Sequence, residues 1–371
     1  MMAAMKCCEK CFRDSELRAI VRRGTRIGRC DICKNVGVHV CYSGDARWEL
    51  IEENIANLLD SYLPYHDVKR QKCCRELEAL PLEEILLRDT EMFALDRMKL
   101  HRLIWAMFSN ERYLVSSYVS RVDIARERHD ALGWILPDGD WNRFEESIKF
   151  KSRFCFKNRF NIENFRRAVI RCVKELPRMS IYFRARKWNG GRLYRKKEMG
   201  PPPCEQCVSG RLNPSGIRLL YLADTIDTAL AEMRPKVKER FCVASFLLKK
   251  SVKVLDLIQI SAMSPFSNSI DPLFYLSNIR ILKKIDEEFR RVVDGANNDL
   301  DYLITQYICD VIKECGWQGV LYGSTLHPSG MNLALFDSDN ARIAPGSIAL
   351  YEISQSSYRH ERVLCEDQVV V

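Results

Sequence analysis

The chain has no apolar run near the length of about 18 residues that a bilayer-spanning helix needs, which sets that class aside. Residues Met1 to Lys10 lack the apolar core of an export signal, so the cytoplasm is the expected location, with no membrane partner. No internal repeat divides the sequence. Large apolar side chains are scarce between residues 7 and 41, and that stretch cannot build a hydrophobic core of its own. In a reducing compartment, paired cysteines hold metal more often than they form disulfides.

What is present is ordinary in bulk: 371 residues, 47% hydrophobic and 29% charged. That length predicts two or three domains. The net charge of +9 fits an anionic ligand or nucleic acid, and equally a protein with neither. The reading is α+β. Residues 1–47 form a small zinc-ribbon-like segment, 48–177 a helical domain and 178–371 a mixed β-sheet domain. Ile51, Ile55, Leu58 and Leu59 share a helical face, and Phe93 to Phe108 continues the pattern. The turn Pro137–Asp140 precedes a helix from Trp141, and Asn161 to Leu176 reads as one more helix, closed by Pro177. Strands are expected over 180–185, 218–223, 241–248, 252–258, 318–322, 331–336 and 348–353. A short helix over 225–233 is stopped by Pro235. The periodicity of Leu300 to Cys315 predicts a long helix capped by Gly316. The polar loop 190–209, with three consecutive prolines, reads as mobile.

Cys8-x2-Cys11 and Cys30-x2-Cys33 each offer two thiolates from one tight turn, and two such turns complete a tetrahedral site. Zinc is the expected ion, structural because four cysteines leave no open position, and its binding energy would fold a core-poor segment. Cys7, His39 and Cys41 are alternative ligands. Cys204-x2-Cys207 and the adjacent Cys73-Cys74 read as plain thiols.

Four residues on strand ends and a short helix suit cleavage of the nicotinamide–ribose bond of NAD. The leaving group is already cationic, so no strong general acid is needed. Positive charge develops on the ribose, and a carboxylate beside it lowers the barrier; Glu232 is the candidate. Arg211, in the turn Gly210-Arg211-Leu212-Asn213-Pro214, can grip diphosphate oxygens. Tyr221 can face a flat cationic ring. Ser324 can hydrogen-bond a ribose hydroxyl or orient the attacking group.

Gly210-Arg211-Leu212-Asn213-Pro214-x-Gly216, Leu220 to Ala223 and Thr228 to Glu232 resemble the first block of the RES domain family, named for Arg, Glu and Ser. Tyr307 to Asp310, Gly316-x2-Gly319-Val320-x-Tyr322-x-Ser324 and Gly330-x-Asn332-Leu333-x-Leu335-Phe336 resemble the second. The likeness spans about residues 180–355. Upstream, Trp141, Phe144, Lys149 and Arg153-Phe154 resemble a zinc-bearing domain that precedes RES and HEPN domains. The resemblance implies an ADP-ribosyltransferase-like fold that acts on NAD as substrate, by hydrolysis or phosphorolysis. It implies Arg211, Tyr221, Glu232 and Ser324 as catalytic residues, with Arg184, Arg186, Asn213 and Asn332 as NAD contacts. Many members are toxins or defence effectors paired with an Xre-type antitoxin, so an antitoxin or regulatory protein is the implied partner. The long amino-terminal half departs from the small toxins.

Two other readings are open. The same pocket could transfer ADP-ribose to a macromolecule. Alternatively, Arg18, Arg22, Arg23, Arg26 and Arg29 could make the cysteine segment a nucleic-acid-binding module. A HEPN ribonuclease is disfavoured, because Arg97-x3-His101 is too short for that motif.

Overall fold

The computed structural model describes residues 4–64, 79–108, 118–121, 133–136, 140–153, 160–267, 270–291 and 298–354. Cys73-Cys74, Phe154 and most of the turn Pro137–Asp140 lie outside them. Contacts divide the chain into one unit of Met1–Cys172 with Leu257–Glu288, and another of Val173–Asp256 with Phe289–Val371.

In the first unit, strands β1 (Lys6–Cys8), β2 (Ile27–Gly28) and β3 (Val38–Tyr42) make an antiparallel sheet in the order β1-β3-β2. Helices Ser15–Arg22, Ala46–Leu59 and Arg97–Met107 start at aspartates whose carboxylates accept a first-turn N–H: Asp14 from Leu17, Asp45 from Arg47 and Asp96 from Lys99. The scarcity of apolar residues near the cysteines has a structural answer. Leu17, Ile20, Val21, Val38 and Val40 join one core with Trp48, Ile51, Ile55 and Leu58, so the cysteine segment borrows its interior from the helices that follow. A second small sheet, β4 (Tyr62–Pro64), β5 (Leu80–Pro81) and β6 (Tyr118–Arg121), runs β4-β6-β5. Helix Pro272–Arg290, which the sequence reading did not foresee, supplies Tyr275, Leu276 and Ile279 to the same core.

The second unit is built on a nine-stranded mixed sheet. Its strands are β7 (Val173–Leu176), β8 (Ile181–Lys187), β9 (Leu220–Ala223), β10 (Arg240–Leu248) and β11 (Val252–Asp256). They continue as β12 (Gly319–Gly323), β13 (Met331–Leu335), β14 (Ala341–Ile343) and β15 (Ala349–Glu352). The order is β14-β10-β8-β9-β13-β12-β11-β7, with β15 also on β10. The β11–β12 pair is parallel, while every other pair in this sheet is antiparallel. Side chains alternate across it. Leu220, Leu222, Leu333 and Leu335 bury on one face, leaving Tyr221, Ala223, Asn332 and Ala334 on the other.

One expected helix is corrected. The helix from Asn161 ends at Val169, a 3-10 turn follows, and Val173–Leu176 is β7. Pairing of Val173–Leu176 with Leu255–Val252 overrides a helical local pattern. The strand expected over 252–258 stops at Asp256, before a 3-10 helix. The loop 190–209 is more tied down than its composition suggests. Glu198 accepts from Arg192 Nη1 at 2.8 Å and Arg195 N at 2.6 Å, and Met199 is fully buried.

Gly319 pairs with Leu335 on one side and Val254 on the other. A Cβ there would stand 2.5 Å from the carbonyl oxygen of Ala334, a backbone atom that cannot swing away. Gly319→Ala should therefore cost about 1–3 kcal/mol of unfolding free energy in denaturant melts, the usual cost of overpacking. An unchanged midpoint would contradict the register given for β12.

Candidate active site

The sheet order decides which distant residues meet. β13 pairs with β9 and β12 at once, so Asn332 stands opposite Ala223 on one side and Tyr322 on the other. Helix Ile226–Ala231 leaves β9 directly, capped by the Thr225 hydroxyl, and Glu232 is its C-terminal cap. The next residue but one, Arg234, has a left-handed backbone (φ 47°) before Pro235 turns the chain away.

These elements wall a cleft of about 510 Å³. Arg184, Arg211, Tyr221, Glu232 and Asn332 all line it, together with Arg234, Tyr302 and Tyr322. Glu232 Oε1 accepts from Ser324 Oγ and from Asn332 Nδ2, each at 2.7 Å. Ser324, just beyond β12, is itself oriented: its Oγ accepts the backbone N–H groups of Leu326 at 3.2 Å and His327 at 3.1 Å. His327 Nδ1 lies 3.0 Å from Thr228 Oγ1 on the glutamate's own helix. Loop and helix are thus joined twice.

Arg211 is held at its side chain and its main chain. Its Nη1 donates to the carbonyl oxygen of Phe289, and its own carbonyl accepts from the Thr305 hydroxyl. Tyr221 Oη donates to Asn213 Oδ1 at 2.7 Å and accepts from Leu212 N at 3.3 Å. The tyrosine hydroxyl is therefore occupied by the arginine turn, and the ring is what it presents to the cleft. Burial holds that hydroxyl well above its ordinary pKa. Tyr322 is likewise raised, first by burial and then by the charge of Glu232, with Arg211 pulling the other way. Only Phe183↔Ala223 joins β8 to β9, and Arg184 reaches across to Tyr221 O at 3.1 Å. Burial lowers the Arg184 pKa to about 10, with Arg186 adding to the effect, so it stays cationic at neutral pH.

Residues 183–354 match the family model described as RES domain. The chain carries a RES domain. A chain of the crystal structure of the M. tuberculosis MbcT–MbcA toxin–antitoxin complex aligns over 51% of this chain and 91% of its own, at 12% identity and a TM-score of 0.29. No curated protein matches the sequence.

Not every expected contact reaches the RES-domain cleft. Ser324, Arg186 and Asn213 are absent from its lining, and Ser324 meets the cleft only through its hydrogen bond to Glu232. Arg186 donates to the carbonyl oxygen of Glu198. Asn213 is a turn residue whose Nδ2 bonds Val208 O at 3.0 Å and Pro214 O at 3.1 Å. Tyr302 and Arg234 were not singled out in the sequence. An arginine just before a proline that stops a helix was the available signal for Arg234. Cys204 is exposed, and Cys207 Sγ donates to Ile217 O at 3.0 Å.

In the other unit, the sulfurs of Cys8, Cys11, Cys30 and Cys33 lie within 4.8 Å of one another. The closest pairs are 3.4, 3.6 and 3.9 Å apart. A tetrahedral ion with sulfur bonds of about 2.3 Å would set its ligands roughly 3.8 Å apart, so the donor set fits a metal. Cys33 N and Asn35 Nδ2 donate to cluster sulfurs at 3.4 and 3.0 Å, which supports thiolate charge. Cys7, His39 and Cys41 are not in the cluster, and His39 Nδ1 lies 3.0 Å from Gly24 O. Of the nearby arginines, Arg26 stacks over the Tyr42 ring at 4.8 Å.

The Tyr221 hydroxyl serves the turn, so Tyr221→Phe should act on stability first. It leaves Asn213 Oδ1 and Leu212 N without a partner, at a cost of about 1–3 kcal/mol. Thermal or denaturant melts measure this, and a neutral outcome would free the hydroxyl for a role in the cleft.

Proposed function

We propose that the RES domain cleaves the nicotinamide–ribose bond of NAD. The observation that carries this reading is the Glu232 carboxylate, held on one oxygen by Ser324 and Asn332 at the wall of a cleft that also contains Arg211. A fixed anion stabilises the cationic ribose without reorganising as the bond breaks. The bonding electron pair leaves with nicotinamide and neutralises its ring. The oxygen of water, or of phosphate, then bonds to the ribose carbon, and a proton is released in the hydrolytic case.

The other walls support the same substrate. Arg184, Arg211 and Arg234 set three cations against one carboxylate, a balance that suits a diphosphate. Tyr221, Tyr302 and Tyr322 offer aromatic surface for flat rings. An antitoxin or regulatory protein as partner follows from the family resemblance alone.

Glu232→Gln keeps the hydrogen-bonding shape and removes the charge. It should lower NAD consumption by about 10²- to 10⁴-fold. Chromatography of products from purified protein incubated with NAD, with and without phosphate, checks both the loss and the acceptor. Free ADP-ribose means water, and ADP-ribose 1″-phosphate means phosphate. Label retained on a macromolecule would instead favour ADP-ribosyl transfer. Near wild-type turnover by the Gln variant would remove Glu232 from the mechanism.

We also propose that Cys8, Cys11, Cys30 and Cys33 bind a structural zinc, on the strength of their spacing and sulfur separations. Elemental analysis should find about one zinc per chain, and a strong chelator or Cys30→Ser should lower thermal stability. Metal-free protein with unchanged melting would overturn this.

A further inference from the structure

Helix Asn298–Glu314 buries Ile304, Ile308, Val311 and Ile312, yet two polar residues sit inside the same interior. Thr305 is 1% exposed and Gln306 7% exposed. Burying a hydroxyl and an amide is unfavourable unless each finds partners. Both find them on one short turn, the one that carries Arg211. Gln306 Nε2 donates to Gly210 O at 2.8 Å and Asn213 O at 3.0 Å, with Ser209 Oγ at 3.1 Å. Thr305 Oγ1 donates to the carbonyl oxygen between them, that of Arg211, with Tyr302 O of its own helix 3.0 Å away as a second acceptor.

The turn also closes on itself, Gly210 N to Asn213 O at 2.8 Å and Asn213 N to Gly210 O at 3.3 Å. That closure fixes its shape but not its place. The helix side chains fix its place, because they are rooted in a separate rigid element. Neither Thr305 nor Gln306 lines the cleft.

We infer that Thr305 and Gln306 are positioning residues: they set the main chain of Arg211 and, through it, the cation offered to the substrate diphosphate. This rests on the NAD-cleaving reading for its catalytic consequence, but not for its structural one. A misplacement of about 1 Å in a substrate-binding group can cost on the order of 10²-fold in rate.

The test uses the full chain with Thr305→Val and Gln306→Met, near-isosteric changes that remove the hydroxyl and the amide while keeping the side-chain volume. Two readouts separate the two claims. Hydrogen–deuterium exchange should show protection lost over residues 210–217, with the rest of the sheet unchanged. Steady-state NAD cleavage should show kcat/KM lowered about 10- to 100-fold, mainly through KM. In an Arg211→Ala background the same changes should matter less than about 2-fold, because the group they position is gone. A general loss of folded protein would instead lower activity equally in both backgrounds, and that result would overturn the inference. So would unchanged exchange over 210–217, whatever the activity. If wild-type protein leaves NAD intact while exchange over 210–217 rises in the variants, the positioning stands and the NAD reading fails.

Discussion

The arrangement depends on one carboxylate oxygen with two donors. Ser324 and Asn332 both bond Glu232 Oε1, and they come from 92 and 100 residues further along the chain. No local preference could produce that meeting. It follows from β13 lying between β9 and β12, so that one strand carries the amide, its neighbour leads to the hydroxyl, and the other neighbour feeds the helix that ends in the glutamate. With Oε1 doubly bonded, the carboxylate is oriented before any ligand arrives. The side chain is exposed, so these two hydrogen bonds, and not burial, fix its direction.

The cations are arranged on the same logic. Arg184 is half-buried against a backbone carbonyl with its pKa lowered to about 10, and Arg211 bonds the Phe289 carbonyl. Among the described residues, neither has a carboxylate within ion-pair distance. Carbonyl partners hold a guanidinium in place without neutralising it, so the positive charge stays available to an anion. Carboxylate partners would have stabilised the apo protein more and left less field in the cleft. The cleft therefore sets one hydrogen-bonded carboxylate beside two guanidinium groups held by backbone carbonyls.

Much of the sheet domain was legible because strand alternation and the apolar face of Leu300–Cys315 are local signals. The motifs around Arg211, Glu232 and Ser324 marked residues that the fold brings to one region, and the spacing of the four cysteines marked a cluster. What was illegible has physical causes. Val173–Leu176 has a helical neighbourhood and becomes a strand only because β11 pairs with it. Helix Pro272–Arg290 buries Phe274, Tyr275 and Leu276 in succession, so its apolar residues spread beyond one face and blur the period. Thr305 and Gln306 look like ordinary helix residues, since their role exists only through contacts with a turn 93 to 97 residues earlier. Asn213 shows the opposite error. Its place in a motif suggested a ligand contact, whereas the structure commits its side chain to Tyr221 Oη, Val208 O and Pro214 O.

The position of Glu232 is itself informative. It caps the C-terminus of a helix, where unpaired carbonyls present partial negative charge, and a carboxylate is locally disfavoured there. A lysine would suit that cap better. Arg234 adds a left-handed backbone two residues later, a conformation a glycine would adopt without strain. Two local rules are thus broken within three residues, and both offending side chains line the same cleft. Departures from local optima that converge on one cavity are hard to explain by folding alone. In the proposed site they place a charge at one point on the cleft wall, with the helix end as the nearest scaffold able to deliver it.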